Sequence, residues 1–362
     1  MVVGGTCPTV GIAGGYTMGG GHSTLSSLYG LGADNVLEWE VVTAEGEHLI
    51  ATPTENRDLY WALSGGGGGT YGVVLGMTTR LHKDGPIGGA HLQFDDSEIG
   101  QDAYWEAIGA FQSLLPPILA QDTSLLYSVY NDSFSIFSLT AAGKSTTEVI
   151  ALLQPIFDEL DKRGVPFAFQ ARESPRFLDH FVGDFGPLPY GIFSAGQVTS
   201  SRLIPRTVVE DPEANAAVTQ ALRDGTASGD FFFACQALDV SGNVSVAANA
   251  VLPAWREAVS HCIVVGLWDF DAPRAKMDAM ADVLTDTISP QLEEATPGSG
   301  TYLNEANFRQ QDFQEHFYGA NYDRLLEIKE KYDPESLFYA VTAVGSEVYE
   351  EDEDGRLCRV ET

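Results

Sequence analysis

From Gly4 to Val36 the chain reads GGTCPTVGIAGGYTMGGGHSTLSSLYGLGADNV. Glycines 11, 14, 15, 19, 20 and 21 fall in a span whose titratable side chains are Cys7, Tyr16, His22, Tyr29 and Asp34. Glycine at this density serves backbone that takes positive φ or lies close against a flat neighbour. A flexible linker is the alternative, but Val10, Ile12, Ala13, Met18, Leu25, Leu28 and Leu31 stand where a linker carries Ser, Asn or Lys. The stretch reads as ordered backbone facing a ligand. Its near-neutrality suits a large aromatic cofactor better than a phosphate or a metal.

A chain of 362 residues with 44% hydrophobic and 10% aromatic content can bury a substantial core, and its length suggests two domains. A net charge of −31 argues against nucleic acid or an anionic membrane surface as partner. No apolar run reaches the roughly 18 residues of a spanning helix. The four cysteines, Cys7, Cys235, Cys262 and Cys358, form no CxxC pair and no metal-finger spacing, so no metal site is expected. Two glycosylation sequons, Asn131-Asp132-Ser133 and Asn243-Val244-Ser245, together with the acidity, lean towards a secreted glycoprotein, although no signal peptide opens the chain.

Val36–Thr43 and Glu47–Thr52 are β-rich runs joined through Ala44-Glu45-Gly46, which predicts a hairpin. Pro53-Thr54-Glu55 predicts a helix start with Thr54 as N-cap, and the helix is expected to end at Ser64. Gly67, Gly69 and Gly72 spell G-x-G-x-x-G, but a dinucleotide site needs a strand before it and a helix after it. Here the order is reversed, with the strand Val73–Thr79 following, and no Gly-Lys-Ser/Thr makes a P-loop. Helices are predicted over Ser97–Leu115, Thr146–Lys162, Glu213–Arg223 and Pro273–Thr287. Strands are predicted over Leu125–Tyr130, Phe134–Leu139, Phe231–Leu238 and His261–Trp268. Short hairpin turns favour an antiparallel sheet with helices on one face over βαβ units. Near the C-terminus, Leu325, Leu326 and Ile328 mark the inward face of a helix that stops at Asp333-Pro334. The acidic run Glu350–Asp354 with Glu361 resembles a calcium loop, but a Glu at its first position and no room for an exiting helix make a hairpin at Asp354-Gly355 the better reading.

Cys7-Pro8-Thr9-Val10-Gly11, Gly19-Gly20-Gly21, Tyr29-Gly30-Leu31 and Ala33-Asp34-Asn35-Val36 resemble the flavin segment of the berberine bridge enzyme-like FAD-linked oxidases, in the vanillyl-alcohol oxidase / p-cresol methylhydroxylase superfamily. The wording is similar to the fungal isoamyl alcohol oxidase-like branch. Tyr302-Leu303-Asn304 and Phe317 to Pro334 resemble the C-terminal signature of the same oxidases. The resemblance implies an α+β chain: the C-terminal half of a PCMH-type FAD-binding domain (1–90), a substrate domain built on an antiparallel sheet covered by helices on one face (91–300), a berberine-type segment returning to the FAD domain (301–349), and an acidic tail (350–362). It implies FAD, with Cys7 forming a thioether to the isoalloxazine and Thr9, Gly11, Gly14, Gly19 and Gly20 lining it. The backbone at Gly72 and Val73 would meet the adenosine end. Tyr302 would stand over the active site, supported by Asn304.

Three departures from the family qualify these expectations. Gly15-Tyr16 stands where the plant-type enzymes place a His beside the pyrimidine ring. The family's base lies on the strand matching His261–Trp268, at a position near Val264, which cannot take a proton; His261 is the titratable neighbour, expected on the other face of that strand. The family's FAD domain also begins upstream, with a lobe holding the pyrophosphate and a second flavin-linking His, and these residues do not contain it. The expected activity is hydride transfer from an alcohol-type carbon of a small molecule to flavin and then to O2, giving H2O2. The alternative is a truncated, flavin-free remnant with a binding role or no activity.

Overall fold

The computed structural model describes residues 1–187, 196–242 and 245–360. The glycine-rich opening is wound: Ile12–Tyr16 makes one π-type turn and Ser26–Tyr29 forms the short helix α1. Gly21 adopts φ 77°, and a Cβ there would stand 2.7 Å from the Tyr16 ring. The missing side chain is what lets the backbone fold flat onto Tyr16.

Val36–Val42 (β1), His48–Ala51 (β2), helix Arg57–Leu63 (α2) and Val73–Thr79 (β3) follow, with β1 paired antiparallel to both β2 and β3. Thr54 does not cap α2. The Thr52 hydroxyl accepts from the Thr54 and Glu55 amides, Asn56 takes φ 46°, and the helix begins two residues late, at Arg57. The glycines after α2 serve close packing. A Cβ at Gly68 would meet Gly15 Cα at 2.8 Å, and one at Gly72 would meet the Val41 side chain at 2.7 Å.

The middle of the chain runs Ile87–Asp95 (β4), Gly100–Leu119 (α3), Thr123–Val129 (β5), Ser133–Ala142 (β6), Thr146–Arg163 (α4), Ala168–Ser174 (β7), Phe177–Phe185 (α5), Gln197–Pro205 (β8), Arg206–Glu210 (α6), Pro212–Thr226 (α7), Phe231–Ala237 (β9), Ala258–Leu267 (β10), Arg274–Val283 (α8) and Ser289–Ala295 (α9). Its seven strands order as β7-β4-β6-β5-β9-β10-β8, and every pairing is antiparallel. Alternation along each strand gives the sheet one apolar face. Leu125, Tyr127, Phe134, Phe233 and Val264 pack there against Trp105, Ile108 and Phe111 of α3, Leu153 and Ile156 of α4, and Val218 and Leu222 of α7. Each large side chain buried this way contributes about 1.5–3 kcal/mol. The short helix α5 lies on the opposite face, where its His180 and Asp184 meet Thr140 and Ser138 of β6. The rest of that second face is left to the cavity described below.

The C-terminal stretch returns to the first unit. Helix Tyr322–Tyr332 (α10) buries Leu325 and Ile328 in a core with Trp39, Val41, Leu59, Trp61 and Tyr71. Lys329, 3% exposed, donates to the Thr70 and Phe338 carbonyls at 2.7 Å each and pairs with Asp333, tying α10 to the glycine run. Tyr349–Glu351 (β11) and Leu357–Arg359 (β12) close the chain as a hairpin, with Gly355 at φ 76° in its turn. Cys235 and Cys262, facing each other across β9 and β10, form a disulfide, while Cys7 and Cys358 are free thiols. Among the described residues no helix is long and apolar enough to cross a membrane.

Candidate active site

A cavity of about 390 Å3 opens between the glycine-rich segment and the second face of the seven-stranded sheet. Cys7, Thr9, Val10 and Tyr16 line it from the first unit, and Leu126, Phe137, Ala234 and Ile263 from the sheet. His22, Gln236, His261, Tyr302, Asn304 and Glu305 supply its polar groups. The Cys7 thiol is partly exposed and lies 3.3 Å from the Thr9 hydroxyl.

Tyr302 is 2% exposed. Its oxygen accepts from the Gly21 amide at 3.2 Å and from Asn304 Nδ2 at 2.7 Å. The same Asn304 nitrogen reaches the Gly15 carbonyl at 2.9 Å, so one side chain fixes both the phenol and the glycine loop. Burial, with the Glu305 charge beside it, holds the phenol well above its ordinary value against those two hydrogen bonds.

His22 follows Gly21 directly, and its ring is clamped at both ends. Gln236 donates to the Ser23 carbonyl at 2.6 Å, which turns its amide oxygen onto His22 Nδ1, while His22 Nε2 lies 3.0 Å from Glu305 Oε2. Burial alone would lower the imidazole, but Glu305 and Gln236 outweigh it and raise His22 above its usual value. Burial likewise works to raise Glu305, and His22 keeps it below the ordinary carboxylate range.

His261 faces the cavity, 3.5 Å from Glu305, with its ring 5.1 Å from that of His22 and 5.4 Å from that of Tyr302. The expectation that it lies on the wrong face of its strand is overturned: Ile263 shares its side, and Val264 is the residue turned into the helical core. Burial pulls its imidazole down to about 3, too low for efficient proton abstraction at neutral pH.

Of the sequence-derived site residues, the fold brings Cys7, Thr9, His261, Tyr302 and Asn304 to one cavity. Gly11 and Gly14 have open space where a Cβ would project. Gly19 packs against Asn304 and Gly20 near Tyr302. Gly72 and Val73 stand outside the cavity, at the start of β3, where Gly72 packs on β1 and Val73 is 51% exposed. His22, Gln236 and Glu305 were not singled out. The first is the sole histidine of the glycine stretch and the last directly follows Tyr302-Leu303-Asn304, whereas Gln236 carries no sequence signal.

The fold is similar to that of VAO-type flavoproteins, and residues 301–345 match the family described as Berberine and berberine like. The chain is 51% identical over 359 residues to the VAO-type flavoprotein oxidase VAO615 of Thermothelomyces thermophilus, covering 99% of this chain and 62% of that protein. It is 48% identical over 365 residues to the bifunctional decalin synthase calF of Penicillium decumbens, covering 99% and 63%. The crystal structure of VAO-type flavoprotein MtVAO615 from Myceliophthora thermophila C1 superposes with a TM-score of 0.96 at 51% identity, over 99% of this chain and 65% of that one. Physcomitrella patens BBE-like 1 shares the fold with a TM-score of 0.78 at 20% identity, over 96% and 72%. This chain thus spans about three fifths of the length of the curated relatives it matches.

Proposed function

We propose that this chain is the flavin-facing and substrate-binding part of an FAD-dependent oxidase acting on an alcohol-type carbon of a small molecule, with H2O2 as the second product. The observation that carries the reading is the convergence of Cys7 and Thr9 from the opening stretch, the doubly hydrogen-bonded Tyr302 oxygen from the returning C-terminal segment and the sheet residues on a single cavity. The residues fit such a cofactor. Gly11, Gly14 and Gly15 leave their Cβ sides open, and the Cys7 thiol is accessible beside them. When bound, FAD supplies the hydride acceptor and the route of electrons to O2.

The chain's own residues then bind and orient. Cys7 would hold the ring, its thiol being accessible for a thioether, and Thr9 and the glycine backbone would line it. Leu126, Phe137 and Ile263 exclude water from the substrate carbon. Tyr302 positions the substrate hydroxyl: the Gly21 amide and Asn304 fix its oxygen, and burial keeps the phenol protonated so that its O–H can donate to the substrate oxygen. The exposed apolar side chains Val73 and Leu75 on β3, 51% and 57% accessible, give a lobe of the kind the family carries a surface to seat on. The Cys235–Cys262 disulfide supports a secreted setting, where such bonds persist.

Absorbance tests the proposal. Purified protein supplied with FAD is expected to show the visible flavin band, with the acid-stable share lost in Cys7→Ser. Tyr302→Phe is expected to slow anaerobic flavin reduction by about 10²–10³-fold, the usual worth of a pre-positioned hydrogen-bond donor, while leaving reoxidation by O2 unchanged. Protein that stays colourless with added FAD would support the flavin-free binding role instead.

A further inference from the structure

The His22–Glu305–His261 cluster is built from three distant segments, and its donors are arranged for something the protein itself does not provide. The Gln236 amide is oriented by its bond to the Ser23 carbonyl, so its oxygen faces His22 and the proton of neutral His22 belongs on Nδ1. The Nε2 lone pair then points at Glu305 Oε2, 3.0 Å away, where two acceptors face each other. His261 is 1% exposed, and neither of its ring nitrogens has a hydrogen-bond partner. A buried imidazole nitrogen left unpaired costs about 1–3 kcal/mol, so the two ring nitrogens of His261 favour a partner from the cavity. One ligand atom from each of the three residues lies within 4.8 Å of the others.

We propose that His22, His261 and Glu305 form a binding site for a first-row divalent metal ion, Zn2+ by preference. Two imidazoles and one carboxylate suit Zn2+ and its neighbours, whereas Ca2+ and Mg2+ favour oxygen donors. The ion takes the place between His22 and Glu305 that a proton otherwise fills, so binding releases that proton. Gln236 is the outer-shell partner that holds His22 in the ligating tautomer, as carbonyl and carboxylate groups do in metal centres. Three protein ligands leave a coordination position open, and the cluster borders the cavity that holds Tyr302, so a substrate oxygen is the natural fourth ligand. The proposal goes beyond the oxidase reading, and its test reads metal, not turnover, so either can fail alone.

The test is equilibrium dialysis of the untagged chain against Zn2+ in excess Ca2+, which occupies the acidic surface, followed by elemental analysis. One zinc per chain is expected. Gln236→Ala should weaken binding by about 10–100-fold, the usual cost of an outer-shell loss, and His261→Ala by more. Co2+ in place of Zn2+ should give visible ligand-field bands on the unsubstituted chain, a readout that needs no variant to fold. Zinc bound no better than by folded His261→Ala, or Co2+ spectra identical to those of the free ion, would overturn the site.

Discussion

Asn304 fills the space that a side chain at position 19 would need: a Cβ on Gly19 would stand 2.3 Å from Asn304 Oδ1. That amide also holds Tyr302 and the Gly15 carbonyl, so a clash at position 19 reaches the phenol as well as the loop. Gly19→Ala is expected to lower stability by about 1–3 kcal/mol, the usual cost of overpacking. The loss should shrink when Asn304→Ala is made in the same chain. A double-mutant cycle from urea denaturation reads the coupling, and strict additivity would show that Asn304 is not what excludes the methyl group.

Asp34 is fully buried, and both its carboxylate oxygens accept from Arg256, at 2.7 and 2.9 Å. The Leu31 amide, Asn249 Nδ2 and the Ser245 hydroxyl also donate to it, so one carboxylate ties the glycine stretch to the loop before β10. Burial opposes ionisation, yet these partners hold Asp34 below its ordinary value. Breaking a buried pair from one side costs about 3–5 kcal/mol; Arg256 is 28% exposed and can be rehydrated, which places Asp34→Ala near the lower end. The sign of the pH effect follows from the lowered value. The contribution is present above the unfolded-state value of about 3.9 and is lost as pH falls through the folded one. Asp34→Asn should flatten that acid limb in denaturation midpoints measured across pH.

Local patterns carried much of the fold. Ser145 and Glu148 close a reciprocal capping box in front of α4, and the helix begins at Thr146 as its spacing suggests. The G-x-G-x-x-G run lies between α2 and β3, the helix-then-strand order its flanks suggest, and at Gly72 a side chain would run into Val41 and the Val42 carbonyl. The failures are tertiary. Thr54 reads as a cap, but the left-handed backbone of Asn56 moves the helix start. His261 was indexed against Val264, which the seven-stranded sheet turns into its core. Gln236 lies 214 residues from His22, and Glu305 lies 283 residues from it, separations over which no periodicity connects one side chain to another.

Cys235 and Cys262 close a loop with a sequence separation of 27. In the chain-entropy account that constraint is worth about 3–4 kcal/mol through the unfolded state. The double variant Cys235→Ala/Cys262→Ala is therefore expected to melt lower than the parent under oxidising conditions and to match the reduced parent under a strong thiol. The strands pair through Ser260–Ala237 and Val264–Phe233 on either side, so the fold should persist. A parent whose melting is indifferent to reductant would deny the bond this role.

His180 offers a cleaner pH reading, because burial dominates it. Its side chain is 1% exposed, Nε2 lies 2.9 Å from the Thr140 hydroxyl and 3.3 Å from Asp184, and Nδ1 has no partner. Asp184 favours the charged ring, but Arg172 and His91, both bound to that same carboxylate, oppose it. The balance pulls His180 down to about 4, against about 6.5 in an unfolded chain. Between those two values the unfolded state binds a proton that the native state does not, so stability falls as pH drops from about 6.5 to about 4 and then levels off for this group. At about 1.4 kcal/mol per unit the full loss over this window is about 3.5 kcal/mol. Asp34 weakens the protein only below this window, which separates the two effects. His180→Gln keeps a polar partner for Thr140 and cannot titrate, so its stability should hold flat from pH 6.5 to 4.5 where the parent's declines. Parallel pH profiles for the two proteins would place the titrating group elsewhere.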